Sequence, residues 1–349
     1  MLTEQEWIRR SSQRRRRHAL CWGALYVTHA SPRHPLLYDR AFQAFLFLLS
    51  CTVALLLPFF CPPAAQEAFS DSPVVQQEET TQPRNVRAVS YQLPQELRYE
   101  QRTFTKDQLM RGKLLLLDQH HPLPSDAPYP NTFSIAATAR GAVPVDNLQI
   151  VSGKGTIEAL KELFSDLRKK GINGLMVCDG TRSPAQQQER RETFLRTLLS
   201  RQTLAQALEQ TNLLYDQPGI GEMQQEYTVE IRPHAEAAPH AWQQLLQTAW
   251  RYGFVRTEST GEERDAYRFR WVGEAHATAM TYLALSFRDY LFWLHEKGML
   301  VIRENGSIKY LIFCKAFSGT HIAFSLPAEA EVEVSLDNMG YAIAACIIK

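Results

Sequence analysis

P-G-I-G-E-M-Q-Q-E-Y-T-V-E-I-R, Pro218 to Arg232, is the stretch from which the chain is best read. Its second half, Tyr227 to Ile231, has the composition of a short strand. On a straight strand Glu222, Gln224, Glu226, Thr228 and Glu230 would share one face, with Met223, Tyr227, Val229 and Ile231 on the other. A second stretch, D-A-Y-R-F-R-W-V-G from Asp265 to Gly273, sets acid and arginine beside apolar residues. Around these two lie periodic segments. Ile157, Leu160, Leu163, Phe164 and Leu167 predict an amphipathic helix over Gly155–Lys170, stopped at Gly171. Gly174–Gly180 reads as a short buried strand, Pro184–Leu214 as helical, and His240–Tyr252 as a further helix.

The frame of Pro218–Arg232 resembles P-G-x-S-E-H-Q-T-G-L-A-V-D-I of the zinc D-alanyl-D-alanine carboxypeptidases of the vancomycin-resistance type, the VanY-like family. Gly219, Glu222, Gln224, Val229 and Ile231 keep the family's letters. Met223 stands where the family has a zinc-binding His, and Glu230 where it has a zinc-binding Asp. Asp265–Gly273 resembles E-P-W-H-F-R-Y-V-G, with Phe269, Arg270, Val272 and Gly273 retained. There Asp265 replaces the general-base Glu, and Arg268 replaces the third zinc ligand, a His. Thr181–Gln188 resembles G-Y-R-S-x-x-x-Q, with Arg182, Ser183 and Gln187 or Gln188 in place. The resemblance implies that these residues line a substrate cleft and that Arg182 meets the substrate's carboxylate with paired donors. On its own chemistry Arg182 serves equally well as a salt bridge tying its loop to the next helix.

The resemblance runs from about Lys106 to Leu294. It implies an α+β, DD-peptidase/Hedgehog-like fold, a small central antiparallel sheet flanked by helices. Beyond it, Met299–Lys349 reads as a C-terminal β extension, with a hairpin turn at Asn305-Gly306.

The substitutions rewrite the chemistry. Zinc sites of catalytic type use three protein ligands and an open position for water. A Met thioether is a soft ligand better suited to copper(I), and an arginine offers no lone pair. Glu226 and Thr228 also stand where the family has small residues that let the strand bend. The expectation is therefore no metal and no cofactor, with Arg268 supplying the missing positive charge and pairing with Glu230 and Asp265. The alternative is zinc held by shifted ligands among Glu222, Glu226, Glu230, His234, His240 and His276. The first implies a silent relative that binds a peptidoglycan stem peptide or an envelope protein. The second implies a working metallo-D,D-carboxypeptidase. A third possibility is a structural envelope protein whose C-terminal strands form the interaction surface.

The 349 residues, 45% of them hydrophobic, suffice for a large core, and a net charge of +1 argues against a nucleic-acid partner. Charge is uneven. Arg9, Arg10 and Arg14 to Arg17 precede an uncharged run, Ala41 to Phe60, of the length that crosses a bilayer. Arginines before it and acids after it orient the amino terminus to the cytoplasm. A cleaved signal peptide, with small residues near Pro62–Gln66, is the competing assignment. The expected organisation is a basic tail over 1–40, a transmembrane anchor over 41–60 and a flexible spacer over 61–105. A carboxypeptidase-like domain over 106–298 and the β extension over 299–349 complete it. Of six cysteines, only Cys314 and Cys346 suggest a bridge, and merely buried thiols suit that pair better. His120 and His121, beside a proline turn, read as surface residues.

Overall fold

A computed structural model describes residues 87–234, 238–257 and 267–348. The basic tail, the run over 41–60, most of the expected spacer and Asp265 lie outside the described residues. Among the described residues no helix is long and apolar enough to cross a membrane.

The chain opens with strands β1 (Arg87–Ser90) and β2 (Tyr99–Thr105), which corrects the end of the expected spacer. The reason is pairing. β2 lies antiparallel along a strand near the carboxyl end, from Thr105↔His321 to Tyr99↔Pro327, and Phe104 packs into that part of the core. Thr105 then caps α1 (Lys106–Met110) in a capping box with Gln108. After β3 (Thr132–Ser134), α2 (Ile135–Ala139) and β4 (Val151–Gly153) comes α3 (Lys154–Lys169). Its buried stripe consists of the apolar positions spaced at three and four residues, and Gly171 at φ +73° follows its end.

β5 (Leu175–Asp179) leads into α4 (Pro184–Leu199) and α5 (Leu204–Leu214). The helical pattern expected over 184–214 is present as two helices, separated at Ser200–Thr203. Thr203 caps the new helix with its side chain and forms a box with Gln206, a local bond that competes with helix continuation. β6 (Thr228–Pro233), α6 (Ala238–Thr248), β7 (Phe254–Arg256) and β8 (Arg268–Trp271) follow. They complete a four-stranded antiparallel sheet in the order β5-β6-β8-β7. Val177, Val229, Ile231, Phe254 and Phe269 from this sheet pack on the stripe of α3. At 25 cal/mol per Å², burying each such side chain is worth about 1.5 to 3 kcal/mol.

Gly273, at φ +85°, turns the chain from β8 into α7 (Glu274–Leu283), a conformation that disfavours any side chain there. α8 (Phe287–Lys297) precedes β9 (Met299–Glu304), β10 (Ser307–Ala316), β11 (His321–Pro327), β12 (Glu331–Leu336) and β13 (Tyr341–Ile347). Asn305 and Gly306 both take positive φ, the conformation a two-residue hairpin turn requires. β1-β9-β10-β13-β12 form a five-stranded sheet, apolar on both faces. Tyr310, Ile312, Cys314 and Ile343 face α7 and α8, while Leu311, Phe313, Ala344 and Cys346 face the β2–β11 pair. Cys314 and Cys346 thus lie on opposite faces as free thiols, which rules out a bridge between them.

The β-rich carboxyl end is not an appendage. Residues 83–349 make one compact unit, and the segment after α1 is woven into its last strands. Leu114 N–H donates to Ser335 Oγ at 2.9 Å and Leu116 N–H to the Asp337 carbonyl at 3.0 Å. Asn338 Nδ2 donates to the carbonyls of Leu116, His121 and Pro122 at 3.0, 3.2 and 2.9 Å.

Candidate functional site

Strand pairing places Glu230 of β6 directly opposite Arg268 of β8, and opposite Asp179 of β5 on the other side. Both Glu230 and Arg268 are buried. Arg268 Nε lies 3.7 Å from Glu230 Oε1, and its Nη1 lies 3.4 Å from Asp216 Oδ2. Arg232 Nη2 sits 2.9 Å from Glu230 Oε2. A carboxylate at the position where the family resemblance expects a zinc-binding Asp is therefore held between two guanidinium groups.

Met223 is not on the strand. It sits in a 3-10 turn, Glu222–Gln224, with its side chain 1% exposed, and its carbonyl accepts a hydrogen bond from Arg182 N–H at 2.7 Å. The straight-strand parity expected for residues 222–230 is corrected accordingly. The bend comes between the turn and Thr228, despite the bulk of Glu226 and Thr228, because the backbone there is captured. The Glu226 carbonyl accepts from Gly153 N–H, Ser152 Oγ and Thr156 Oγ1 at 2.9, 3.0 and 2.9 Å.

The donor set does not fit zinc in the family's manner. A buried thioether and a guanidinium replace two imidazoles, and an arginine 4 Å from the ion is repelled by roughly 1 to 4 kcal/mol per unit of ion charge. Among the described residues no three His, Cys, Asp or Glu side chains are grouped to hold a metal. The shifted ligands are dispersed. Glu226 accepts from Asn131 N–H at 2.5 Å, Glu222 lies 3.6 Å from Arg270, and His234 and His240 are exposed. His276 is buried in α7 with Nδ1 2.8 Å from the Tyr290 hydroxyl, and burial, aided by the Lys113 charge, lowers its pKa to about 3.

The three residues expected to line the substrate cleft have other duties. The Arg182 guanidinium is taken by Asp179, with Nη1 donating to Gln187 Oε1 at 3.0 Å. Of its two expected roles, the structure gives the internal salt bridge. Burial works to raise the Asp179 pKa, but the charges of Arg182 and Arg190 overcome it and hold the carboxyl below its ordinary value. Ser183 caps α4 through its side chain, in a box with Gln186. Gln187 is buried and donates to the Asp216 carbonyl at 2.7 Å. These contacts share one cause. A short strand ending in Asp179 faces the start of a helix, and the polar groups there pair with one another. Asp265 lies outside the described residues.

Asp179 and Asp216 were missed from the sequence, although each sits at a chain punctuation, before Gly180 and before Pro218-Gly219. Arg270 is fully buried, and its Nη2 donates to the Lys113 and Leu115 carbonyls at 2.7 and 2.9 Å and to Gln225 Oε1 at 2.5 Å. Its ring partner is Phe287, at 4.6 Å. This arginine clamps the segment after α1 to the sheet. A cleft of about 640 Å³ opens beside the polar knot, walled by Leu116, Asp216, Glu222, Arg268, Phe287 and Arg288 among others. Arg182, Ser183 and Gln187 do not belong to its walls.

No family model matches the chain. A D-alanyl-D-alanine carboxypeptidase of Enterococcus faecium is 22% identical over 254 residues, 69% of this chain and 77% of that protein. Among solved structures, the vancomycin-resistance D,D-dipeptidase VanXYg, in complex with a D-Ala-D-Ala phosphinate analogue, superposes with a TM-score of 0.58 at 16% identity. The match covers 72% of this chain and 100% of VanXYg. VanYB, in complex with D-alanine-D-alanine, matches at 22% identity with a TM-score of 0.43, over 52% of this chain and 97% of its own. The chain thus shares the α+β fold of the D,D-dipeptidase VanXYg and a distant sequence similarity to a D-alanyl-D-alanine carboxypeptidase.

Proposed function

We propose that this chain is a catalytically silent relative of the D-Ala-D-Ala carboxypeptidases, anchored in the membrane by residues 41–60 with its main domain outside the cytoplasm. It acts at the cell wall as a module that binds a peptidoglycan stem peptide or an envelope protein. The observation that carries this reading is Arg268, buried beside Glu230 at 3.7 Å where the family resemblance expects an imidazole on zinc. Hydrolysis in such a site needs an activated water, and neither a guanidinium nor a thioether supplies one. A peptide would still find a cleft with apolar walls at Leu116 and Phe287 and charges of both signs.

The full chain in detergent micelles is to be assayed for zinc content, for D-alanine release from a stem-peptide mimic ending in D-Ala-D-Ala, and for binding of that mimic by calorimetry. Peptide binding without zinc and without release is the expected result. Stoichiometric zinc together with D-alanine release lost in Asp265→Asn would establish the metallo-D,D-carboxypeptidase instead. Protease protection of residues 87–348 in right-side-out vesicles would refute the assigned topology.

A further inference from the structure

We infer that the guanidinium of Arg268 is the resident cation of the cleft floor, doing the structural part of a metal ion's work by joining three separate elements through charge. Arg268 comes from β8, Glu230 from β6, and Asp216 from the connection after α5. The two carboxylates stand 3.4 and 3.7 Å from its nitrogens. These are ion-pair lengths rather than those of short hydrogen bonds, so charge matters here more than donor direction.

The consequences spread through Asp216. Its carbonyl accepts from Gln187, whose own oxygen accepts from Arg182, so the ion pair is continuous with the start of α4. Arg232 also reaches Glu230, but its side chain is 41% exposed and it meets the opposite carboxylate oxygen. Removing Arg268 therefore takes away a buried charge that faces both Glu230 and Asp216. A site built for a small delocalised cation would then accept one from solution. The inference concerns the same cleft as the proposed function but requires no bound peptide, so loss of peptide binding alone leaves it standing.

The test is chemical rescue in the full chain. Arg268→Gly is expected to lower the melting temperature by roughly 5 to 10 °C, as the loss of one partner from a buried charge cluster does. Methylguanidinium at about 10 mM is then expected to recover part of that loss by binding the folded state, while leaving the wild type unmoved. Arg268→Lys is expected to be more stable than Arg268→Met, because it keeps the charge. If Arg268→Gly does not fold, the Lys and Met pair decides the matter. An Arg268→Met chain as stable as Arg268→Lys would overturn the inference. So would methylguanidinium acting equally on the wild type and Arg268→Gly.

Discussion

The four-stranded sheet and the five-stranded sheet are both antiparallel, yet they use their buried positions differently. In the second, Leu300, Val301, Ile302, Ile343, Ala344 and Ala345 are all fully buried and apolar. In the first, β6 and β8 alternate apolar residues with Thr228, Glu230, Arg268 and Arg270, polar or charged groups that are also buried. An apolar strand contributes free energy by burial alone. A charged one costs free energy that only its ion pairs and hydrogen bonds offset. The charged sheet is accordingly the one beside the cleft, and the apolar one is the frame to which it is attached.

The contrast can be broken by substitution. Arg270→Ala should have the largest effect, a loss of about 4 kcal/mol in chemical denaturation, because carbonyls of Lys113 and Leu115 lose a buried charged donor. Ile312→Ala in the apolar sheet should cost about 3 kcal/mol through the cavity it leaves, and should leave the cleft's ligand binding unchanged in calorimetry. An Arg270→Ala loss below that of Ile312→Ala would mean that the buried charge is not holding the sheet.

A pH titration sharpens the comparison further. His276 stays neutral in the folded chain until about pH 3, whereas in the unfolded chain it takes up a proton near 6.5. Its contribution is thus fully present above pH 6.5 and is lost as pH falls toward 3. Between pH 6.5 and 5 the loss should be about 2 kcal/mol, and unfolding curves of His276→Gln should show that much less slope. At the small end, Lys161→Ala removes a surface pair with Glu158 at 2.7 Å and should move stability by less than about 0.5 kcal/mol.

The two sheets also differed in how far they were legible in the sequence. Hydrophobic spacing was enough for α3, and Asn305-Gly306 for the β9–β10 hairpin, because both signals are local. The frame around Met223 and Arg268 identified the fold, and the structure confirms α+β with strands around a cleft. The partners of the charged residues were not legible. Arg182 meets Asp179 only because β5 ends beside the start of α4, and Asp216 reaches Arg268 across 52 positions of sequence. The break between α4 and α5 was hidden for a different reason, since a threonine cap leaves the apolar pattern on either side intact. β2 escaped notice because its partner, β11, lies more than two hundred residues away.

Asn338 adds a mechanical point. By holding the Leu116, His121 and Pro122 carbonyls, the tip of the last hairpin suspends one rim of the cleft from the far end of the polypeptide. Asn338→Ala would slacken the rim while leaving every side chain around Arg268 in place, and hydrogen exchange over positions 116–119 would register it.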